Sequence, residues 1–257
     1  MELDLAGKTV MVAGASRGLG FAIARCLRDE GANLSIASSD PAAIAEAGTI
    51  LGDCLAVKCD VKNPVDIKAW VAATGERFGA IDALVVNAGG PPPGGFDDFD
   101  DEAWQAAFEL TLLSAVRLVR AALPGLKSRH GNILFMTSSS VKEPIDFLLL
   151  SNVMRSGVAS LAKSLSRSLA PQGVRVNTIV PGIVETDRIK ALVANQAKGK
   201  GISGDEQRAQ MEAQVPMGRF GEPEEFARVA AFLLSPAASY INGETVTVDG
   251  GTMKTLF

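Results

Sequence analysis

The sequence predicts a doubly wound α/β fold: a seven-stranded, mostly parallel sheet with helices on both faces, in a single domain over residues 1–257. Three observations predict it. Short β-branched apolar runs alternate with helical patterns along nearly the whole chain. A glycine-punctuated turn joins the first strand to the first helix. No Ser/Pro/Gly-rich linker breaks the alternation, and 257 residues at 47% hydrophobic are enough to bury a large core.

The first run, Lys8-Thr9-Val10-Met11-Val12-Ala13, is apolar and stops at Gly14, as a buried parallel strand does. Gly14-Ala15-Ser16-Arg17-Gly18-Leu19-Gly20 then leads into residues 21–28, apolar at helical spacing and ended by Gly31. Glycines in that turn let the chain reverse sharply, let a pyrophosphate approach the backbone and let the new helix pack on the sheet. The helix start offers unpaired N–H groups and partial positive charge to phosphates. Further strands are expected at 33–38, 54–59, 82–87, 132–138, 174–180 and 244–248. Right-handed crossovers place ligands at the carboxyl ends of such strands, so residues just after them are candidate functional groups. Asp60-Val61 follows the third strand, Asn87-Ala88-Gly89 the fourth and Ser138 the fifth. Each is also an ordinary turn residue type.

Composition excludes several classes. Twenty-five Lys and Arg against 29 Asp and Glu give a net charge of −4 with no basic stripe, which argues against nucleic acid. No apolar run is long enough for a bilayer, and Met1-Glu2-Leu3-Asp4-Leu5 lacks a basic start followed by an apolar stretch, so no membrane association and a cytoplasmic location are expected. Cys26, Cys54 and Cys59 read as reduced core thiols, and a lone His130 without Cys/His spacing argues against zinc.

Together the glycine turn, Asp60, Asn87-Ala88-Gly89, Ser138, Pro181-Gly182 and Asp249-Gly250-Gly251 resemble the short-chain dehydrogenase/reductase family, over about residues 5–252. Within it, Asn87 to Gly94 (Asn-Ala-Gly-Gly-Pro-Pro-Pro-Gly) resembles proteins similar to β-ketoacyl-carrier-protein reductases whose active-site motif is imperfect. The resemblance implies a Rossmann-type fold and an NAD(P)-dependent carbonyl/alcohol oxidoreductase, 3-oxoacyl reductase-like, acting on a small apolar substrate. It implies cofactor contacts from Gly14, Ser16, Arg17, Gly18, Leu19, Gly20, Asp60, Val61, Asn87, Ala88, Gly89, Pro181, Gly182 and Val184. It also implies a homo-oligomer, tetramer or dimer, built through helices near 101–128 and 151–170.

Cofactor choice turns on the end of the second strand, where an acid would hold the ribose hydroxyls of NAD. Ser38 stands there. Arg17, Ser38 and Ser39 suit a 2′-phosphate, so NADP is favoured over NAD, although Asp40 nearby would repel that phosphate.

The family's catalytic groups are largely replaced. Ser138 keeps the serine position, but Thr111 stands for the asparagine, Ser151 for the tyrosine and Arg155 for the lysine. A serine hydroxyl is a far weaker acid than a phenol titrating near ~10. Arg155, four residues on, presents a fork for ribose hydroxyls or an oxyanion and is a poor proton shuttle. Lys142 is a candidate replacement acid; Tyr240, the only tyrosine, reads as structural. A helical lid is expected over about 185–216, broken at Lys198-Gly199-Lys200-Gly201. The competing reading keeps the nucleotide pocket for a lyase, an isomerase or a dinucleotide-binding protein without turnover.

Overall fold

The computed structural model describes residues 2–256. Seven strands form one sheet in the order β3-β2-β1-β4-β5-β6-β7, every pairing parallel. They are β1 Thr9–Ala13, β2 Asn33–Ser38, β3 Cys54–Lys58, β4 Ala83–Val86, β5 Asn132–Met136, β6 Arg175–Pro181 and β7 Thr245–Val248. The fourth and fifth are shorter than their apolar runs suggest: Asn87 turns its side chain to the glycine loop after β1, and beyond Met136 only the Thr137 N–H still bonds β6, at Ile179, before Ser138 caps the short helical turn that follows.

Side chains alternate along β1. Val10 and Val12 join a core with α1 Gly18–Asp29, α2 Pro41–Leu51 and α9 Pro223–Leu234; Met11 and Ala13 join the opposite core with α3 Pro64–Phe78, α5 Ser114–Ser128 and α6 Leu149–Leu169. Burial on both faces accounts for the continuous apolar strands. Leu161 and Leu165 of α6 pack on the second core and so face the sheet.

Between α4 Asp101–Ala107 and α5, residues Phe108–Leu113 form a π turn, so the helical path over 101–128 is continuous with one widened turn. The lid region holds α7 Asp187–Lys200 and α8 Gly204–Glu212. The expected break at 198–201 is corrected: Lys198–Lys200 remain helical, and the chain turns at Gly201, with φ +68°, before Ser203 caps α8. Tyr240 is likewise corrected, since it is fully exposed and packs nothing. Cys26, Cys54 and Cys59 are free thiols; burial pushes Cys59 up to about 12.

Candidate active site

The turn after β1 is closed by mutual contact. Gly14 has φ +61° and Gly18 φ +60°, a region that costs a side chain energy. A Cβ on Gly20 would lie 2.3 Å from the Gly14 carbonyl oxygen, so only glycine lets α1 start this close to the strand. Asn87, buried after β4, donates from Nδ2 to the carbonyls of Ala13 and Gly14, both at 3.2 Å. It therefore braces the turn. The N-cap of α1, Arg17, makes no side-chain cap, and the first turn of α1 holds no acid, which leaves its N–H groups available to a phosphate.

Beside this turn, Ser16 Oγ donates to Ser38 Oγ at 3.1 Å, joining the loop to the end of β2. Arg17 and Ser39 are exposed. Asp40, which sequence reasoning sets against a 2′-phosphate, is engaged elsewhere, because its carboxylate accepts from the N–H groups of Ala42 and Ala43 and caps α2. Asp60 accepts from the Lys62 N–H, and Val61 packs on the core. A Cβ on Gly89 would meet nothing within 4 Å, so open space lies over the loop after β4. A Cβ on Gly182 would lie 2.5 Å from Asp249 Cα, which explains why Pro181-Gly182 and Asp249-Gly250-Gly251 occur together. Leu19 packs on the core beneath the glycine turn, Ala88 is partly buried, and Val184 is buried in a bridge with Gly221.

At the carboxyl end of β5, Ser138 accepts from the Ser140 N–H at 3.2 Å. That bond uses an oxygen lone pair and leaves the hydroxyl proton free to donate. Ser151, buried in the first turn of α6, makes no side-chain hydrogen bond among the described residues. One turn on, Arg155 Nη1 donates to the carbonyls of Met136 at 3.3 Å and Thr137 at 3.4 Å, which brings it beside Ser138. Burial first, and then the charge of Arg188, bring Arg155 down to about 10, still protonated at neutral pH. Thr111 is buried in the π turn, its Oγ1 without a partner. Lys142 ends the short helical turn after Ser138, partly buried, with no side-chain bond among the described residues.

Two residues that sequence reasoning missed enter from the lid. Thr186 caps α7 and comes within 3.9 Å of a Cβ placed on Gly18. Arg188 lays its guanidinium against the loop after β4, 3.0 Å from a Cβ placed on Gly90. Their only signal is position, just after Pro181-Gly182. His130 lies at the other edge of the sheet, lining a cavity of about 450 Å³ with Lys8, Asp82 and Arg175. Its charges are already engaged: Asp82 pairs with Lys8 and Arg129, and Arg175 donates to three backbone carbonyls.

A family model described as enoyl-(acyl carrier protein) reductase matches residues 14–253. The chain belongs to the short-chain dehydrogenase/reductase family. It is 39% identical over 253 residues to the 3-oxoacyl-(acyl-carrier-protein) reductase of Vibrio cholerae, covering 97% of this chain and 98% of that one. L-Sorbose reductase from Gluconobacter frateurii, solved with NADPH and L-sorbose, superposes with a TM-score of 0.95 at 31% identity over 100% of both chains. A short-chain oxidoreductase from Pseudomonas aeruginosa, described as containing an atypical catalytic center, gives 0.91 at 31% identity over 98% and 99% of the two chains. Membership makes this short-chain dehydrogenase/reductase an NAD(P)-dependent oxidoreductase and disfavours the lyase, isomerase and binding-only readings.

Proposed function

We propose that the protein reduces a carbonyl, or oxidises the matching alcohol, of a small largely apolar substrate with NADP, and that it does so without the family's tyrosine. One observation supports this reading: the cationic Arg155 is held by the Met136 and Thr137 carbonyls that lead into Ser138, whose hydroxyl proton is free, at the carboxyl end of β5 and on the same edge of the sheet as the braced glycine turn. The substrate's relation to 3-oxoacyl compounds rests on the similarity to the Vibrio cholerae enzyme. NADP is favoured because Ser38 replaces an acid, Arg17 is unpaired among the described residues and Asp40 is occupied as a cap.

Gly14, Ser16, Gly18, Leu19 and Gly20 would hold the diphosphate, Arg17, Ser38 and Ser39 the 2′-phosphate, Asp60 and Val61 the adenine. Asn87, Ala88, Gly89, Pro181, Gly182 and Val184 would hold the remainder. Bound NADPH supplies the hydride. The Ser138 hydroxyl donates to the carbonyl oxygen, and the Arg155 guanidinium stabilises the negative charge that grows there. The proton that completes the alcohol comes from Lys142 or from water. Thr111 and Ser151 shape the wall of the site. The reading takes the chain as a single domain over 1–257 with its lid over about 185–216, cytoplasmic, and a dimer or tetramer through α4–α5 and α6. No helix among the described residues is long and apolar enough to cross a membrane.

The test is loss of NADPH absorbance across a panel of ketones and oxoesters. The native protein turns over slowly, and Ser151→Tyr combined with Arg155→Lys accelerates generic ketones by about 10², the lower end of general-acid contributions. Absence of oxidation in both proteins contradicts the reading. Lys142→Met lowers turnover if Lys142 is the acid; an unchanged rate assigns the proton to water.

A further inference from the structure

We infer that Arg208 is a positioning residue: paired with Glu185, it holds residues 183–188 down across the nucleotide groove and sets how fast the dinucleotide leaves. The inference rests on the nucleotide site proposed above and adds to it a residue outside that site.

Residues 186–188 lie over the point where the sheet order reverses. The chain runs outward from β1 to β3, returns to β4 on the other side of β1, and runs outward again, which opens a ligand crevice between the ends of β1 and β4. Thr186 Cγ2 lies 3.9 Å from a Cβ placed on Gly18, in the turn after β1, and the Arg188 guanidinium lies 3.0 Å from one placed on Gly90, in the loop after β4. One short segment therefore touches both walls of the groove. A dinucleotide seated between them is released when that segment lifts.

The segment is tied at its base. The Gly221 N–H donates to the Ile183 carbonyl at 2.9 Å, and the Glu185 N–H donates to the Gly221 carbonyl at 2.8 Å. Val193, Met211 and Phe220 form a small apolar cluster of the lid's own, apart from the two sheet cores. Across this base, Arg208 of α8 brings Nη1 to 2.7 Å from Glu185 Oε2. That oxygen is sealed from solvent and has no other partner among the described residues. Arg208 is itself fixed, because its Nε donates to Glu212 at 2.8 Å and its guanidinium lies over the Phe220 ring, 4.8 Å from the centre.

Most ion pairs at a protein surface contribute little, since water screens both partners. This one differs at Oε2. Without Arg208 a hidden charge has no counterion, and the lower-energy arrangement swings Glu185 out to water and carries the backbone of 183–188 with it. The Arg208 side chain is 42% exposed, which puts the expected effect at the modest end for a pair of this kind.

Release of nucleotide reads the tie directly. NADPH-loaded protein is mixed with excess NADP⁺ in a stopped-flow fluorimeter, and the loss of bound NADPH fluorescence gives the release rate. We expect Arg208→Met to speed release about tenfold and Arg208→Lys, which keeps the charge, to stay within about twofold of the native protein. Adding Glu185→Gln to Arg208→Met reverses most of the increase, because no hidden charge remains. A role confined to the Glu212 and Phe220 contacts would show no such reversal. Release that is unchanged or slower in Arg208→Met, or an increase that Glu185→Gln leaves in place, overturns the inference. Failure of the native protein to bind NADPH counts against the proposed function instead. Trypsin cleavage after the exposed Lys198 and Lys200 of α7 then tests the same tie in nucleotide-free protein. Cleavage faster in Arg208→Met and restored by Glu185→Gln supports the inference, and equal cleavage in all three proteins overturns it.

Discussion

Single atoms decide most at the glycines. Gly20 and Gly89 both belong to the proposed nucleotide site, yet their surroundings differ: an added Cβ meets the Gly14 carbonyl oxygen at 2.3 Å in one and nothing within 4 Å in the other. Gly20→Ala is therefore expected to destabilise the fold by about 1–3 kcal/mol, as overpacking does. Gly89→Ala should leave stability within about 0.5 kcal/mol and still weaken NADPH binding about tenfold or more, because its methyl fills space the ligand needs. Thermal melts beside nucleotide titrations read both, and native affinity in Gly89→Ala shows that this space is not the nucleotide's. These glycines were legible in the sequence through their spacing. Arg188 was not, because a charged residue on a lid helix reads as solvated surface until the fold lays its guanidinium against Gly90, in the loop after β4.

Among the elements, strands were the most legible, since parallel strands buried on both faces carry unbroken apolar runs. The π turn at Phe108–Leu113 was not, because its residues fit ordinary helical spacing and only backbone hydrogen bonding distinguishes it. The lid break was misplaced for a related reason: Gly199 is tolerated inside α7, and Gly201, with positive φ, ends it. Elements also carry the pH response. Arg219 binds Glu225 through two hydrogen bonds of 2.7 Å, and the Glu222 N–H donates to the same carboxylate at the start of α9. The Arg219 bond first, and then the backbone bond, lower Glu225 to about 2 from 4.5. A carboxylate lowered on folding adds stability above its unfolded value and loses it as pH falls through the folded one. The melting-temperature gap between native protein and Glu225→Gln should stay level above about pH 5.5 and close toward pH 2. A gap independent of pH contradicts this account of the α9 start.

Over the whole molecule, the sheet gathers at one edge what the sequence scatters: the glycine turn after β1, Asn87 and Gly89 after β4, Ser138 after β5 and Gly182 after β6. The amino-terminal edge, with His130 and its cavity, keeps its charges paired. On the proposed function, Ser151 in place of a tyrosine would change how a proton is supplied while the residues of the proposed nucleotide groove stay in place. Fold and family were legible because they rest on many distributed residues, while the chemistry rests on a few side chains whose partners lie far along the chain. The most direct measurement is titration of the purified protein with NADPH and NADH by calorimetry. The account predicts one dinucleotide per chain with NADPH bound about tenfold more tightly than NADH; no binding of either nucleotide would contradict it.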